Sequence, residues 1–185
     1  MNVSREQMAR NRTRILDVAS RLFRERGFDG VTVSEIMKTA GLTHGAFYSY
    51  FDSKDDLITH AVTHALAPAK GGPTGLETLI GTYLSPLHRE HAGQGCPMAG
   101  MAGAVRHRSP EVRAAMAEGY RRQIDFLARS VDGVDAASRR RAAIGSWAAM
   151  VGAVILARAV GDEALSNELL AETQSWIKEN TQTAH

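Results

Sequence analysis

The sequence has little of what defines several classes of protein. It holds one cysteine in 185 residues, which excludes an internal disulfide. Its longest apolar run, AAIGSWAAMVGAVILA from Ala142 to Ala157, has 16 residues and is shorter than the ~20 that span a bilayer. The opening MNVSREQMARNRTR lacks the apolar block of a signal peptide. We therefore expect a cytoplasmic protein with no membrane partner.

The sequence also lacks the short motifs of common enzymes. No His-Glu-x-x-His, Gly-x-Ser-x-Gly or phosphate-cradling glycine loop is present. His88 and His91 are three residues apart and have no third metal ligand nearby in the sequence. These absences predict a protein that is not an enzyme and that carries no catalytic residue, metal or cofactor.

Charge is nearly balanced overall, but its distribution is uneven. The net charge is +2, with 22 lysines and arginines against 20 acids. Residues 1–51 hold eight of the basic residues and five of the acids, a net of +3, and the remainder has a net of −1. A basic N-terminal region suits contact with a polyanion, although a solvated helix face gives the same pattern.

Helical periodicity runs through almost the whole chain. Ile15, Val18, Ala19, Leu22 and Phe23 form one buried stripe. Gly27 ends that helix, and Gly41 supplies a left-handed turn. Thr32–Glu35 and Ser53–Asp56 predict capping boxes, in which a hydroxyl and a carboxylate each accept a hydrogen bond from a free backbone N–H. Thr43 is predicted to cap a short helix. Longer helices are predicted at about 76–90, 97–106, 110–130, 135–160 and 162–179, after a linker at Ala67–Gly75. With no sustained strand alternation, the fold class is all-α.

Aromatic residues make up only 6% of the chain, yet four of them crowd AGLTHGAFYSYF, residues 40–51. A helix, a glycine turn and a short second helix form a helix-turn-helix, whose second helix must bury a few apolar residues and leave its other face clear. Leu42, Phe47 and Phe51 have the spacing for burial. The outward set is Thr43, His44, Gly45 and Tyr48. Because glycine weakens a helix, Gly45 indicates a close backbone approach.

The stretch TVSEIMKTAGLTHGAFYSYFDSKDDLI, residues 32–58, preceded by ILDVASRLFRERGFDGV, resembles the TetR family of bacterial transcriptional repressors. The resemblance implies an N-terminal three-helix helix-turn-helix domain at 1–52 and a C-terminal helical effector-binding and dimerisation bundle at 53–185. The DNA-binding residues that it implies, together with Gly45 from the outward face, are Thr32, Thr43, His44, Gly45, Tyr48, Tyr50 and Lys54. The chain departs from the family pattern at Phe47 for leucine, Tyr50 for histidine and His44 for a basic residue.

A specific DNA reader of this kind needs two half-sites about one helical turn (~34–36 Å) or a multiple apart, which predicts a homodimer on a palindromic operator of double-stranded DNA. The last two helices are the predicted interface. A small-residue stripe on the first of them comprises Ala142, Gly145, Ala149 and Gly152. For each large apolar residue of the predicted interface, packing in an ordinary intrachain core is the alternative. These residues are Trp147, Met150, Val154, Leu156, Leu165, Leu169, Leu170, Trp176 and Ile177.

The resemblance further implies that the middle helices enclose a pocket for a small-molecule effector. The candidate ligand-binding residues are His64, Tyr83, His88, Cys96, Met98, Met101, Tyr120 and Phe126, with His60 as a further candidate. Plain core packing is the alternative for each. Cys96 precedes Pro97 at a helix start, where the helix dipole favours a thiolate and a thiol-reactive effector would act. The rival functions are a helical ligand-binding or adaptor protein without operator binding, and a small helical enzyme.

Overall fold

The computed structural model describes residues 4–67, 75–133 and 135–181, and every regular element in these ranges is helical, as predicted. The α-helices are α1 (Arg5–Arg26), α2 (Val33–Thr39), α3 (Lys54–Ala65), α4 (Leu76–Tyr83), α5 (Pro86–Glu90), α6 (Pro97–Val105), α7 (Pro110–Ser130), α8 (Ala136–Ala159) and α9 (Glu163–Thr181). Two short 3₁₀ helices are His44–Ser49 and Ala92–Gln94. Most of the predicted linker, residues 68–74, lies outside the described residues.

The chain divides into two compact units. The first contains the described residues of Met1–Ala67 and Cys96–Ala117, and the second those of Pro68–Gly95 and Glu118–His185. Helix α7 contributes residues to both. The first unit thus includes α3 and α6 in addition to the three helices of the predicted DNA-binding domain. The functional boundary at residues 52 and 53 stays a prediction.

Helix α1 is the scaffold of the first unit, and α3 and α6 pack against it. Ile15, Ala19 and Phe23 are fully buried, which confirms the predicted stripe. Burial of a side chain as large as Ile15 or Phe23 stabilises the fold by roughly 1.5–3 kcal/mol. The Phe23 ring meets Phe28 edge-on at a centroid distance of 5.2 Å. Gly27, with φ of 71°, ends the helix where the sequence predicted.

Of the two predicted capping boxes, the one at Ser53 has both of its hydrogen bonds and the one at Thr32 has only the hydroxyl bond. Thr32 Oγ1 accepts from the backbone N–H of Glu35 at 3.2 Å, as predicted. The Glu35 carboxylate, however, pairs with Arg26 at 2.5 Å, because a guanidinium outcompetes a neutral N–H for a carboxylate. Ser53 Oγ accepts from the N–H of Asp56 at 3.0 Å, and the Asp56 carboxylate reaches back to the N–H of Asp52 at 3.1 Å.

The prediction of one helix from Leu76 to Glu90 is wrong. Helix α4 ends at Tyr83, and α5 begins at Pro86. Proline disfavours helical backbone in the residue before it, and Ser85 is accordingly extended, with φ of −119° and ψ of 152°. The Ser85 hydroxyl then accepts from the N–H of His88 at 3.2 Å and starts the new helix.

Helices α8 and α9 pack along each other and form the centre of the second unit. Met150, Val154 and Leu170 are buried there, and Ser166 Oγ donates to the carbonyl of Ala157 at 2.7 Å. By length and composition alone α8 would pass as a membrane span, because an 18-residue window within it has a mean hydropathy of 1.6. Its packing against α9 instead gives it the role of a core helix with one buried side.

We expect Gly41→Ala to lower the free energy of unfolding by about 1–2 kcal/mol, because an L-residue is strained in left-handed backbone. Gly41 has φ of 69°, and the atom nearest to an added Cβ is Arg14 Nη1 at 4.0 Å, so the cost is conformational and not steric. Urea denaturation followed by circular dichroism measures it.

The matched control is Gly45→Ala. An added Cβ at Gly45 meets nothing within 4 Å, and its φ is not positive. Alanine also favours helical backbone, so stability should stay the same or rise slightly. Equal losses in the two variants would contradict the assignment of the turn to Gly41.

Candidate nucleic-acid interface

The second helix of the predicted helix-turn-helix is the 3₁₀ helix His44–Ser49, which two aromatic residues anchor. Phe47 is 1% exposed and Phe51 is 2% exposed, with their ring centroids 5.8 Å apart. Leu42 is only half-buried. Thr43 stands at the N-cap, with φ of −77° and ψ of 149°, but its side chain makes no cap hydrogen bond. Thr43 therefore stands at the predicted N-cap position, but its hydroxyl does not make a capping hydrogen bond.

The opposite face of this helix is exposed. Thr43, His44 and Gly45 are all accessible, and Tyr48 is 70% exposed. The Tyr48 ring touches only the edge of Phe47 among the aromatic contacts of the described residues, at 5.2 Å. A hydroxyl, an imidazole, a bare backbone position and a phenol thus share one accessible surface. Such groups can contact base edges and phosphates, and their contact with DNA stays a prediction.

The other three predicted DNA-binding residues border this face. Thr32 is exposed at the start of α2, and Lys54 is half-buried at the first position of α3. Tyr50 is half-buried, and its hydroxyl oxygen accepts from Asn11 Nδ2 at 2.9 Å. Helix N-termini and ammonium groups both attract phosphate.

Asn11 is a residue that the sequence prediction missed. It is buried in α1 and lies four residues before Ile15, on the same stripe. Extending the apolar periodicity by one turn toward the N-terminus marks this position as inward. The signal for Asn11 in the sequence is therefore a polar residue at a position where the periodicity predicts an apolar one.

A second missed residue is Arg108, which follows α6. Its guanidinium pairs with Asp29 and lies 3.7 Å from the carboxylate of Asp55, and it covers the Phe28 ring at 5.3 Å. Hydrogen bonding and charge from Arg108 lower the pKa of Asp29 below its ordinary value. Arg108 thereby ties the segment after α6 to the loop between α1 and α2 and to the start of α3. The arginine has no motif context, so no local pattern could have identified it.

Helix α6 also packs closely on α1. A Cβ added at Gly100 would lie 3.1 Å from the Cα, the Cβ and the carbonyl oxygen of Arg24. That approach is tighter than ordinary van der Waals contact, so glycine is needed for this spacing.

The predicted ligand-binding residues fall into two groups. In the first unit, Met98 and Met101 are buried in α6, Cys96 is half-buried at its N-cap, and His64 Nε2 lies 2.6 Å from Asp17 Oδ1. His60, also in α3, lies 3.3 Å from Asp56. No structural observation yet assigns an effector to this group.

In the second unit, Tyr83 contacts His88 and Trp147, with centroid distances of 4.4 and 5.1 Å. Burial, and then the charge of Arg158, lower the pKa of His88, although its hydrogen bond to the Tyr83 carbonyl opposes the shift. Tyr120 and Phe126 are half-buried on α7. The neutral imidazole is thus favoured at this packed aromatic cluster.

Two surface depressions of the second unit are lined by other residues. One of about 460 Å³ is lined by Asp125, Ala128, Arg129, Ala136 and Arg139. Another of about 180 Å³ is lined by Leu76, Glu77, Ile80, Ser130, Asp132, Lys178 and Thr181. Within the described ranges, no three His, Cys, Asp or Glu side chains are grouped to hold a metal ion.

Comparison with known proteins identifies the N-terminal region. The family model described as "Bacterial regulatory proteins, tetR family" matches residues 15–61. An uncharacterised HTH-type transcriptional regulator of Mycobacterium tuberculosis, Rv0196, is 29% identical over 87% of this chain and 95% of its own. The HTH-type transcriptional repressor KstR2 of Rhodococcus jostii is 45% identical over 25% of this chain and 23% of its own.

Solved structures share the fold over the whole chain. The reduced form of Escherichia coli NemR has a TM-score of 0.73 at 22% identity, over 95% of this chain and all of its own. A TetR-family regulator of Cytophaga hutchinsonii has a TM-score of 0.75 at 16% identity, with complete coverage of both chains. The matched family and the named relatives are transcriptional regulators and not enzymes, and the family match spans the helices that carry the exposed face described above. The chain thus matches the family model of TetR-family bacterial regulators over residues 15–61 and is similar in fold to such regulators over almost its whole length.

Proposed function

We propose that this regulator is a repressor that binds a palindromic operator as a homodimer and leaves it when a small-molecule or thiol-reactive effector binds. The observation that carries the proposal is the exposed face of the His44–Ser49 helix, on which Tyr48 is 70% exposed. A large aromatic side chain in solvent without a packing partner on its outer side favours an external contact. The relative KstR2 is named a repressor, which supports the direction of the regulation.

Gly45 supports the same face. Nothing in the described residues lies within 4 Å of an added Cβ there, and its backbone does not need glycine. The protein's own packing therefore gives no reason for a glycine in this helix. A duplex that approaches the backbone at this point gives one, because a side chain would hold the helix away from the groove.

The dimer is supported by an exposed apolar surface on α8 and α9. Five large apolar side chains there are between 42% and 53% exposed: Ile144, Ile155, Leu156, Leu165 and Trp176. Along α8, Gly145, Ala149 and Gly152 continue this surface, and an added Cβ at either glycine meets nothing. Small residues let a second helix approach closely, and exposed apolar area favours burial against it.

Part of the predicted interface belongs to the intrachain core instead. Trp147, Met150 and Val154 are buried, as are Leu170 and Ile177. These residues therefore fit the alternative, which is packing in an ordinary intrachain core. The interface that we propose consists of the exposed set and the small residues between its members.

The surface that we propose for DNA predicts two different effects of substitution. Tyr48→Phe should weaken binding by roughly tenfold on specific and random duplexes alike, because a hydroxyl bond to a phosphate carries no sequence information. His44→Ala should mainly reduce preference for the operator, since a base contact contributes about 1–3 kcal/mol of discrimination. Fluorescence anisotropy with the DNA that flanks the gene, and with a random duplex of equal length, measures both.

Both side chains are exposed, so neither variant should change the melting temperature. If His44→Ala weakened both duplexes equally and Tyr48→Phe changed preference, the two roles would be reversed. If the wild-type protein bound neither duplex at low salt, the repressor proposal would be wrong, and an adaptor function would replace it.

Ile155→Glu should convert the dimer to a monomer, because a carboxylate at the centre of the apolar surface would be buried without a partner. Sedimentation velocity measures the mass, and operator affinity should fall with the dimer. The matched control is Leu87→Glu on α5, an exposed leucine outside this surface. A variant Ile155→Glu that stays dimeric would place the interface elsewhere.

Release by an effector requires that the effector bind the DNA-incompetent state better. Cys96 is the only cysteine, so N-ethylmaleimide has one thiol to modify, and this thiol lies at the N-cap of α6. The reagent should release wild-type protein from the operator but not Cys96→Ser, which should bind DNA normally. Release of both proteins would exclude the thiol-reactive effector and leave a non-covalent ligand.

A further inference from the structure

The buried Asn11 side chain makes three hydrogen bonds. Gln7 Nε2 donates to Asn11 Oδ1 at 2.9 Å, and Arg14 Nη2 donates to the same oxygen at 3.0 Å. On its other side, Asn11 Nδ2 donates to the hydroxyl oxygen of Tyr50 at 2.9 Å. Asn11 is only 6% exposed, so these bonds hold its amide in one place.

The chemistry of arginine fixes the orientation of this amide. A guanidinium can only donate, so the oxygen of Asn11 must face Arg14 and the NH₂ must face Tyr50. The Tyr50 oxygen is then an acceptor, and its own proton stays available. No acceptor for that proton exists among the described residues of the chain. Tyr50 is therefore set as a donor toward a group outside the protein.

The arginines near this network differ in what they bind. Arg10 pairs with Glu6 on the same helix, and the Arg12 guanidinium covers the Phe51 ring at 5.0 Å. Arg14 is exposed and bonds to the neutral oxygen of Asn11, and within the described ranges no carboxylate pairs with it. Unlike that of Arg10, its charge is therefore not neutralised by a carboxylate of the described residues. It is linked through one amide to the donating hydroxyl of Tyr50.

We propose that Asn11 is a positioning residue that arranges the Tyr50 hydroxyl and the Arg14 guanidinium to bind a phosphate of the DNA backbone. This inference rests on the proposed DNA binding. A phosphodiester oxygen only accepts hydrogen bonds, and it needs a donor and a positive charge near each other. A free phenol could turn its proton either way, and Asn11 removes that choice before DNA arrives, which lowers the ordering cost of binding.

The test uses Asn11→Asp in the full-length protein, with a random-sequence duplex at low salt, since phosphate contacts do not depend on sequence. Aspartate still accepts from Gln7 and Arg14, so the variant should fold, and its melting temperature checks that. It cannot donate to Tyr50, so the phenol proton turns inward. We expect roughly tenfold weaker binding from Asn11→Asp and from Tyr50→Phe, each measured alone.

A double-mutant cycle separates the mechanism from the added negative charge. If Asn11 acts through Tyr50, Tyr50→Phe should cost roughly tenfold in the wild-type background and less than about twofold in the Asn11→Asp background. In the Asn11→Asp background, both proteins that are compared carry the new carboxylate. Its general repulsion of DNA therefore cancels from the comparison. A loss from Tyr50→Phe that is equal in the two backgrounds, or absent in the wild type, overturns the inference.

The arginines give an independent readout. Arg14→Gln should reduce the slope of log affinity against log salt concentration by about 0.9, the value for one lost phosphate contact. Arg10→Gln, which removes an arginine already paired with a carboxylate, should leave the slope unchanged. Equal slopes for Arg14→Gln and the wild type overturn the role of Arg14. A wild-type protein that binds no duplex overturns the proposed function itself, whereas normal binding with an additive cycle overturns only this inference.

Discussion

The structure of the helix-turn-helix region depends on the burial of two phenylalanines. The His44–Ser49 helix has six residues, which is far too short to be stable alone. Phe47 and Phe51 anchor it in the core of the first unit, and the left-handed backbone of Gly41 turns the chain into it. Every accessible group on the outer face owes its position to these anchors. The aromatic crowding in AGLTHGAFYSYF thus divides into two buried phenylalanines, an exposed Tyr48 and a half-buried Tyr50.

Much of this region follows from local pattern. The apolar stripe of α1, the glycines at 27 and 41, and the hydroxyl caps at Thr32 and Ser53 are all as predicted, because each depends on neighbours within four residues. Resemblance to a known family added the prediction of a C-terminal bundle at 53–185, where periodicity alone predicted only helices.

The errors and omissions have tertiary causes. Glu35 pairs with Arg26, nine residues away, and no capping rule includes such a competitor. The break between α4 and α5 was readable from Ser85-Pro86, but the apolar spacing across it concealed the proline's effect. Arg108 and Asn11 act across 79 and 39 residues of sequence, respectively, so their partners become visible only in the folded chain. The ligand-binding residues are least predictable, because apolar and aromatic side chains fill cores and line pockets equally well.

The close contact of α6 with α1 at Gly100 has a mechanical consequence. With no side chain between the two backbones, α6 has little room to tilt toward α1 without displacing it. Arg108, just beyond the end of α6, holds both Asp29 and Asp55. A rotation of α6 would therefore pull on the loop before α2 and on the first turn of α3 together. The two elements that flank the His44–Ser49 helix would shift as one body and not independently.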